Sequence, residues 1–190
     1  MRDKILVISP HPDDLDFACA GTVAKLAEED REISYLIVTD GSKGTRGLSR
    51  GSSIGEEELV RLREKEQREA AKLSFDNFYR FHRDHRVVAE AVFDAIYPAA
   101  HNRLFFPELL EQGYEPHRLI EVWFFGTADP NRFVDITATI DKKIEALSCH
   151  LSQIPDIDEV SELVRSRAEE VGKRAGCRYA EAFRRVGLDR

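Results

Sequence analysis

Cysteine, methionine and tryptophan are scarce in this 190-residue chain, at three, one and one, and the scarcity of cysteine already excludes two classes of protein. Cys19, Cys149 and Cys177 are odd in number and widely spaced, so they build neither a disulfide framework nor a paired-cysteine zinc site. They read as reduced thiols of a cytoplasmic protein. No apolar run approaches the roughly 18 residues of a membrane span, and no basic-then-apolar leader precedes the first apolar run. Positive charge is short as well. A formal charge of -7 and a pI near 5.5 argue against the basic face that nucleic acid selects. The first strand-to-helix turn lacks the G-x-G-x-x-G phosphate cradle, which disfavours a nucleotide-dependent oxidoreductase. What remains is a soluble chain. At this length it is read as one domain, residues 1–190, burying roughly 70% of the surface its unfolded chain would expose.

What the chain does have is concentrated near its start, in Leu6-Val7-Ile8-Ser9-Pro10-His11-Pro12-Asp13-Asp14. The apolar run over Lys4–Ser9 predicts a strand buried on both faces. Pro10 and Pro12 end it by removing backbone donors and fixing φ. His11, Asp13 and Asp14 therefore sit at a carboxyl end, where open α/β sheets bind ligands. Helical spacing over Val23–Glu29 and a β-rich run over Ile33–Thr39 complete a right-handed βαβ unit. It puts Asp14 and Asp40 on one edge of the sheet.

The loop Gly41–Gly55, with Lys43, Arg46 and Arg50, suits a surface or binding loop. Glu56–Leu73 predicts a strong helix carrying Arg63 and Glu66 three apart. Phe75–Phe81 reads as extended, followed by His82-Arg83-Asp84-His85 and a helix over Val87–Tyr97. Arg103–Pro116 is irregular or briefly helical. Strands are expected at Glu121–Gly126 and Phe133–Thr137 with a turn between them. Helices are expected at Ile140–His150 and, broken near Gly172 or Gly176, at Val160–Val186.

The two polar clusters together suit a catalytic metal. Such sites take three protein ligands from histidine and carboxylate and leave a place for water. His11 and Asp14, with His85 or His82, supply that set. A base must still accept the proton of the water, and an acid must protonate the leaving group. Asp13, beside the ligand candidates, is the natural base, and the histidine left over is the acid, with Asp84 to orient it. The structural alternative for Asp84 is the N-cap of the helix that follows; for His82 it is a surface position in an Arg-rich turn.

Pro10-His11-Pro12-Asp13-Asp14, Ala20-Gly21-Thr22, Thr39-Asp40-Gly41 with Gly44, Arg63-x-x-Glu66 and His82-x-Asp84-His85 resemble, in this order, the PIG-L or LmbE family of zinc-dependent de-N-acetylases. The likeness runs on through Val134-Asp135-Ile136, Lys143, His150-Leu151-Ser152-Gln153 and Tyr179–Phe183. The resemblance implies a Rossmann-like α/β fold, with a mostly parallel sheet flanked by helices and the site at the strands' carboxyl ends. It also implies hydrolysis of an N-acetyl group from an N-acetylglucosamine-containing conjugate. Carried over by motif, His11, Asp14 and His85 hold one zinc ion (Zn2+) per chain and Asp13 is the general base. His82 protonates the leaving amine or stabilises the oxyanion, Asp84 supports it, and Arg63 contacts the sugar. Glu66, His150 and Asp135 are read as packing or supporting residues. Homo-oligomers occur in the family.

Ala20 departs from the usual Gly-Gly-Thr. A larger departure lies near Leu73–Ser74 (residues 73–75), where family members carry a further strand, turn, helix and strand. Deleting these would bare edges and apolar faces. The expectation is therefore a segment omitted from this sequence, with a break in space at that junction. A metal-dependent phosphoesterase and a decayed metal- and sugar-binding module are the alternatives to a deacetylase.

Overall fold

The computed structural model describes residues 3–42, 56–70 (side chains 57–66), 82–154 and 156–188. The junction at 73–75, the expected strand at Phe75–Phe81 and the basic residues of the Gly41–Gly55 loop lie outside them.

The first unit forms as its pattern dictates. Strand β1 (Lys4–Ser9) pairs in parallel with β2 (Glu32–Ile37), from Lys4 opposite Glu32 to Ser9 opposite Ile37. Helices α1 (Asp14–Ala18) and α2 (Ala20–Glu28) connect them. Side chains alternate across a strand. One face of the pair carries Ile5, Val7, Ile33, Tyr35 and Ile37 into a core with Leu15, Val23 and Phe183. The other face is open: Leu6 is 57% exposed, Leu36 48% and Val38 50%. Burial on both faces, expected from the apolar run, is thus corrected to burial on one.

The second half of the sheet structure differs from expectation. Helix α3 (Glu56–Ala70) is followed by α4 (Arg83–Asp94), a wide turn at Ala95–Ala99 and a short α5 (Pro107–Glu111). Strands β3 (Glu121–Phe124) and β4 (Arg132–Asp135) do not pair with each other. Between them lies β5 (Ala180–Gly187), antiparallel to both. Among the described residues the parallel arrangement is therefore confined to β1 and β2, and the sheet is not mostly parallel. Ala180–Gly187 was expected to be helical because Ala, Glu and Arg favour helix. Its pairing with β3 over Arg184–Gly187 and with β4 over Ala180–Phe183 overrides that weak preference.

Helix α7 (Ile157–Ala175) packs on β4 and β5, and helix α6 (Ile140–Leu147) packs against α1, α2 and α7. Asp156 caps α7 by accepting the Glu159 N–H at 3.0 Å, and Gly176, at φ +75°, ends it as a left-handed C-cap. Ile136, Ile140, Leu147, Ile154 and Val164 form the core between them. The two halves meet at Gly21, where an added Cβ would lie 2.5 Å from that of Ile136. There the carboxylate of Glu181 on β5 accepts the N–H groups of Gly21 (3.0 Å) and Thr22 (2.8 Å) at the start of α2, and the Lys143 ammonium at 2.6 Å. Lys143 also donates to the Phe17 carbonyl. Among the described residues no helix is long and apolar enough to cross a membrane.

Candidate metal and catalytic centre

The site forms where β1 stops. Pro10 and Pro12 prevent the strand from continuing, and the chain turns into α1 through Asp13, whose φ of +84° lies on the left-handed side. A non-glycine residue held there carries on the order of 1–3 kcal/mol of strain, a cost that concentrates at functional positions. The turn folds His11 back on Asp14. His11 Nδ1 lies 2.8 Å from Asp14 Oδ2, and the His11 N–H donates to the same oxygen at 3.2 Å.

Helix α4 brings the second cluster. His85 Nε2 is 3.0 Å from Asp14 Oδ2, and Asp84 Oδ2 is 3.0 Å from His11 Nε2. His82 is the N-cap of α4, its Nδ1 accepting the Asp84 N–H at 3.2 Å. The cap read as Asp84 from sequence is therefore His82, and the helix starts at Arg83 instead of Val87. The rings of His11 and His82 stand 4.8 Å apart, edge to face.

These contacts set the charges. Burial alone would raise the Asp14 carboxyl, but hydrogen bonds from His11 and His85 outweigh it and hold the group below its ordinary value. The hydrogen bond to Asp14 raises His11 against the opposing effect of burial, with Asp84 adding to the rise. Asp84 is lowered, first by its hydrogen bond to His11. Asp13 is pushed up to about 7 by burial, while the Arg63 charge opposes the rise.

The donor set fits a divalent cation. Ligand atoms about 2.0–2.1 Å from a tetrahedral zinc ion lie roughly 3.3 Å from one another. Asp14 Oδ2 lies 2.8 Å from His11 Nδ1 and 3.0 Å from His85 Nε2, close to that spacing. His82 also falls within reach, since one nitrogen each of His11, His82 and His85 lie within 4.8 Å of one another.

Arg63 is buried on α3, where its guanidinium donates to the carbonyls of Gly41 (2.6 Å) and Pro12 (3.0 Å) and to Asp13 Oδ1 (3.1 Å). Gly41 has φ +67°, and a Cβ there would come within 2.5 Å of the guanidinium. One turn on, Glu66 accepts the Ser152 N–H at 2.9 Å and its hydroxyl at 2.6 Å. His150 Nε2 meets Asp16 Oδ2 at 2.6 Å, with both side chains buried. Thus one short segment, 150–152, ties α1 to α3. Asp135 is elsewhere, its carboxylate accepting the Thr137 N–H. The anchoring of Arg63 by two backbone carbonyls has no sequence signal beyond the spacing of Arg63 and Glu66.

His150 supplies a stability test. Burial and the nearby Arg63 charge push its imidazole down to about 3 from an ordinary 6.5. The native state keeps it neutral while the unfolded chain protonates below about 6.5, so stability is full above that pH and falls as pH drops towards 3. Denaturant melts of wild type and His150→Gln at pH 7 and 5 should show a smaller acid loss in the variant. Equal losses would remove His150 as the cause.

Comparison with known proteins is consistent with this geometry. Residues 6–81 match the family described as "PIG-L: GlcNAc-PI de-N-acetylase". A diacetylchitobiose deacetylase of Thermococcus kodakarensis is 31% identical over 225 aligned positions, covering 96% of this chain and 83% of the relative. A probable N-acetyl-alpha-D-glucosaminyl L-malate deacetylase 2 of Bacillus anthracis is 23% identical over 88% of both chains. Among solved structures, the N,N'-diacetylchitobiose deacetylase from Pyrococcus horikoshii, complexed with its inhibitor MPG, superposes with a TM-score of 0.86 at 27% identity. It covers 97% of this chain and 84% of that one. The 4-carboxy-2-hydroxymuconate hydratase GalB of Pseudomonas putida, 19% identical, has a TM-score of 0.79 over 99% of this chain and 98% of that one. At that identity it shows the fold alone, and that fold serves a different reaction there.

Proposed function

Since the chain belongs to the PIG-L family, we propose that it hydrolyses the N-acetyl amide of an N-acetylglucosamine-containing conjugate, using one zinc ion per chain held by His11, Asp14 and His85. The observation that carries this reading is the convergence of those three side chains, with separations of 2.8 and 3.0 Å to one carboxylate oxygen, beside the buried Asp13. When bound, the zinc ion supplies a Lewis acid for the amide carbonyl and lowers the pKa of the attacking water.

The protein's own groups do the proton work. Asp13 accepts the proton of the attacking water, and burial makes its carboxylate a stronger base than an exposed aspartate. With Nδ1 of His82 accepting from Asp84 N–H, the proton of the neutral ring sits on Nε2. That N–H is the hydrogen-bond donor for the oxyanion, and the proton Asp13 takes from the water is the one available to the departing amine. Asp84, 3.0 Å from His11 Nε2, favours the charged form of the His11 ring and lies 3.8 Å from His82 Nδ1.

By motif Arg63 contacts the sugar. Its guanidinium is buried against Pro12, Gly41 and Asp13, so its larger effect on the reaction runs through Asp13. Arg63→Met removes a charge that lowers the Asp13 pKa, and the acid limb of kcat/KM should move to higher pH. A limb that stays in place would disconnect Arg63 from the base.

The test of the whole reading is zinc content and acetate release from N,N'-diacetylchitobiose and an N-acetylglucosaminyl malate. Zinc near one per chain with acetate release is the expected result. Zinc without release from either substrate would favour the decayed binding module. A folded protein with no affinity for zinc would end the proposal.

A further inference from the structure

Helix α3 is seated on the rest of the protein by charge. Among its described side chains the buried ones are Leu59, Arg63 and Glu66, at the spacing that puts three residues on one helix face. Two of the three are charged, so apolar packing alone does not fix where the helix lies; the partners of Arg63 and Glu66 do. Arg63 spans the ends of β1 and β2 through the Pro12 and Gly41 carbonyls and reaches Asp13 Oδ1 at 3.1 Å. Glu66 is held at both oxygens by Ser152. Of the described helices and strands, α3 packs substantially on α6 alone, the helix that leads into Ser152.

The turn that carries Ser152 is firmly held. The His150 carbonyl accepts the N–H groups of Gln153 and Ile154, both at 2.9 Å, and Leu147, His150, Ser152 and Ile154 are all buried. Gln153 Nε2 donates to the Ser152 hydroxyl oxygen at 3.1 Å, which directs the hydroxyl's own proton to Glu66 at 2.6 Å. A hydrogen bond to a carboxylate is about twice as strong as one between neutral groups. Asp13, at the other end of this chain of contacts, sits at φ +84°, a conformation that persists only where its surroundings hold it.

We propose that Ser152 is a positioning residue for Asp13: through Glu66 it fixes α3 at the height from which Arg63 holds the Asp13 carboxylate and the Pro12 carbonyl. The proposal rests on Asp13 being the base of the deacetylase reading. Ser152 stands two side chains away from Asp13, so it sets the geometry of the base and takes no proton itself. A misplacement of about 1 Å at a reacting group can cost on the order of 100-fold, and productive geometry is held to within about 0.5 Å. Slack introduced at Ser152 is therefore read in kcat.

The experiment is a double-variant cycle of Ser152→Ala and Glu66→Met, with zinc content, acetate release from N,N'-diacetylchitobiose and amide exchange over residues 11–16. Ser152→Ala removes one hydroxyl and adds no volume, so circular dichroism should match wild type. It should keep zinc near one per chain, lower kcat about 10-fold with KM within about twofold, and speed exchange over 11–16 while leaving β5 unchanged; Ser152→Thr, which keeps the hydroxyl, should recover kcat. Glu66→Met keeps the side chain's length and removes both acceptors, so adding Ser152→Ala to it should cost nothing further. An unchanged kcat in Ser152→Ala, a loss that adds in full to that of Glu66→Met, or a fall in stability alone would overturn the proposal. The exchange measurement needs no substrate. A wild type that releases no acetate would count against the deacetylase reading alone, whereas unchanged exchange over 11–16 in Ser152→Ala would overturn the link from Ser152 to Asp13.

Discussion

Asp14→Asn should strip the zinc and reduce acetate release by well over ~100-fold while the protein stays folded. Losing a supporting partner of a metal ligand costs about 10–100-fold, and Asp14 is more than a supporter: one of its oxygens meets both His11 and His85. Asparagine keeps the shape but removes the charge that gathers the two rings. Asp84→Asn is the matched control. It faces His11 from the outside and is partly exposed, so it should retain zinc and lose activity within the 10–100-fold range expected of an outer partner. The pair also decides the ligand set. If His11, His82 and His85 hold the ion instead, His82→Ala will strip the zinc and Asp14→Asn will not.

The largest loss of stability should come from a residue remote from the chemistry. Glu181→Gln leaves the Lys143 ammonium buried without its anion, and removing one member of a buried pair typically costs about 3–5 kcal/mol. It also weakens acceptance of the Gly21 and Thr22 N–H groups. At about 2–4 °C per kcal/mol for a chain of this size, Tm should fall by roughly 10 °C. The double variant Glu181→Gln with Lys143→Met should recover part of this, because no charge is then left unpaired. Thermal melts at neutral pH check both, and a Glu181→Gln variant with wild-type Tm would show that the pair contributes nothing.

Much of the site was legible because its parts are local. Pro10 and Pro12 mark the end of β1, and the order His11, Asp13, Asp14 places one polar turn at one helix start. The second cluster was visible as residues but not as geometry. Nothing in His82-Arg83-Asp84-His85 indicates that the first histidine caps α4, because aspartate is the commoner cap. The sheet was harder still. Ala180–Gly187 becomes a strand only because β3 and β4 are there to receive it, a tertiary effect invisible to local preference. The open face bearing Leu6, Leu36 and Val38 supports our proposal that residues 1–190 form a single domain from which a segment near 73–75 is missing. The 225 aligned positions of the Thermococcus relative exceed the length of this chain, so that relative has residues with no counterpart here.

The Glu181 contact also has a consequence for the order in which the protein can be finished during synthesis. Glu181 lies 160 residues after Gly21, whose N–H it accepts, and chain elongation proceeds at about 5–20 residues per second. For several seconds, therefore, a nascent chain carries β1 and the His11–Asp14 turn beside an α2 whose first amides lack this acceptor. A ribosome stalled before β5 emerges would display His11, Asp13 and Asp14 on an unfinished scaffold, and the last strand made is the one that locks the first helices.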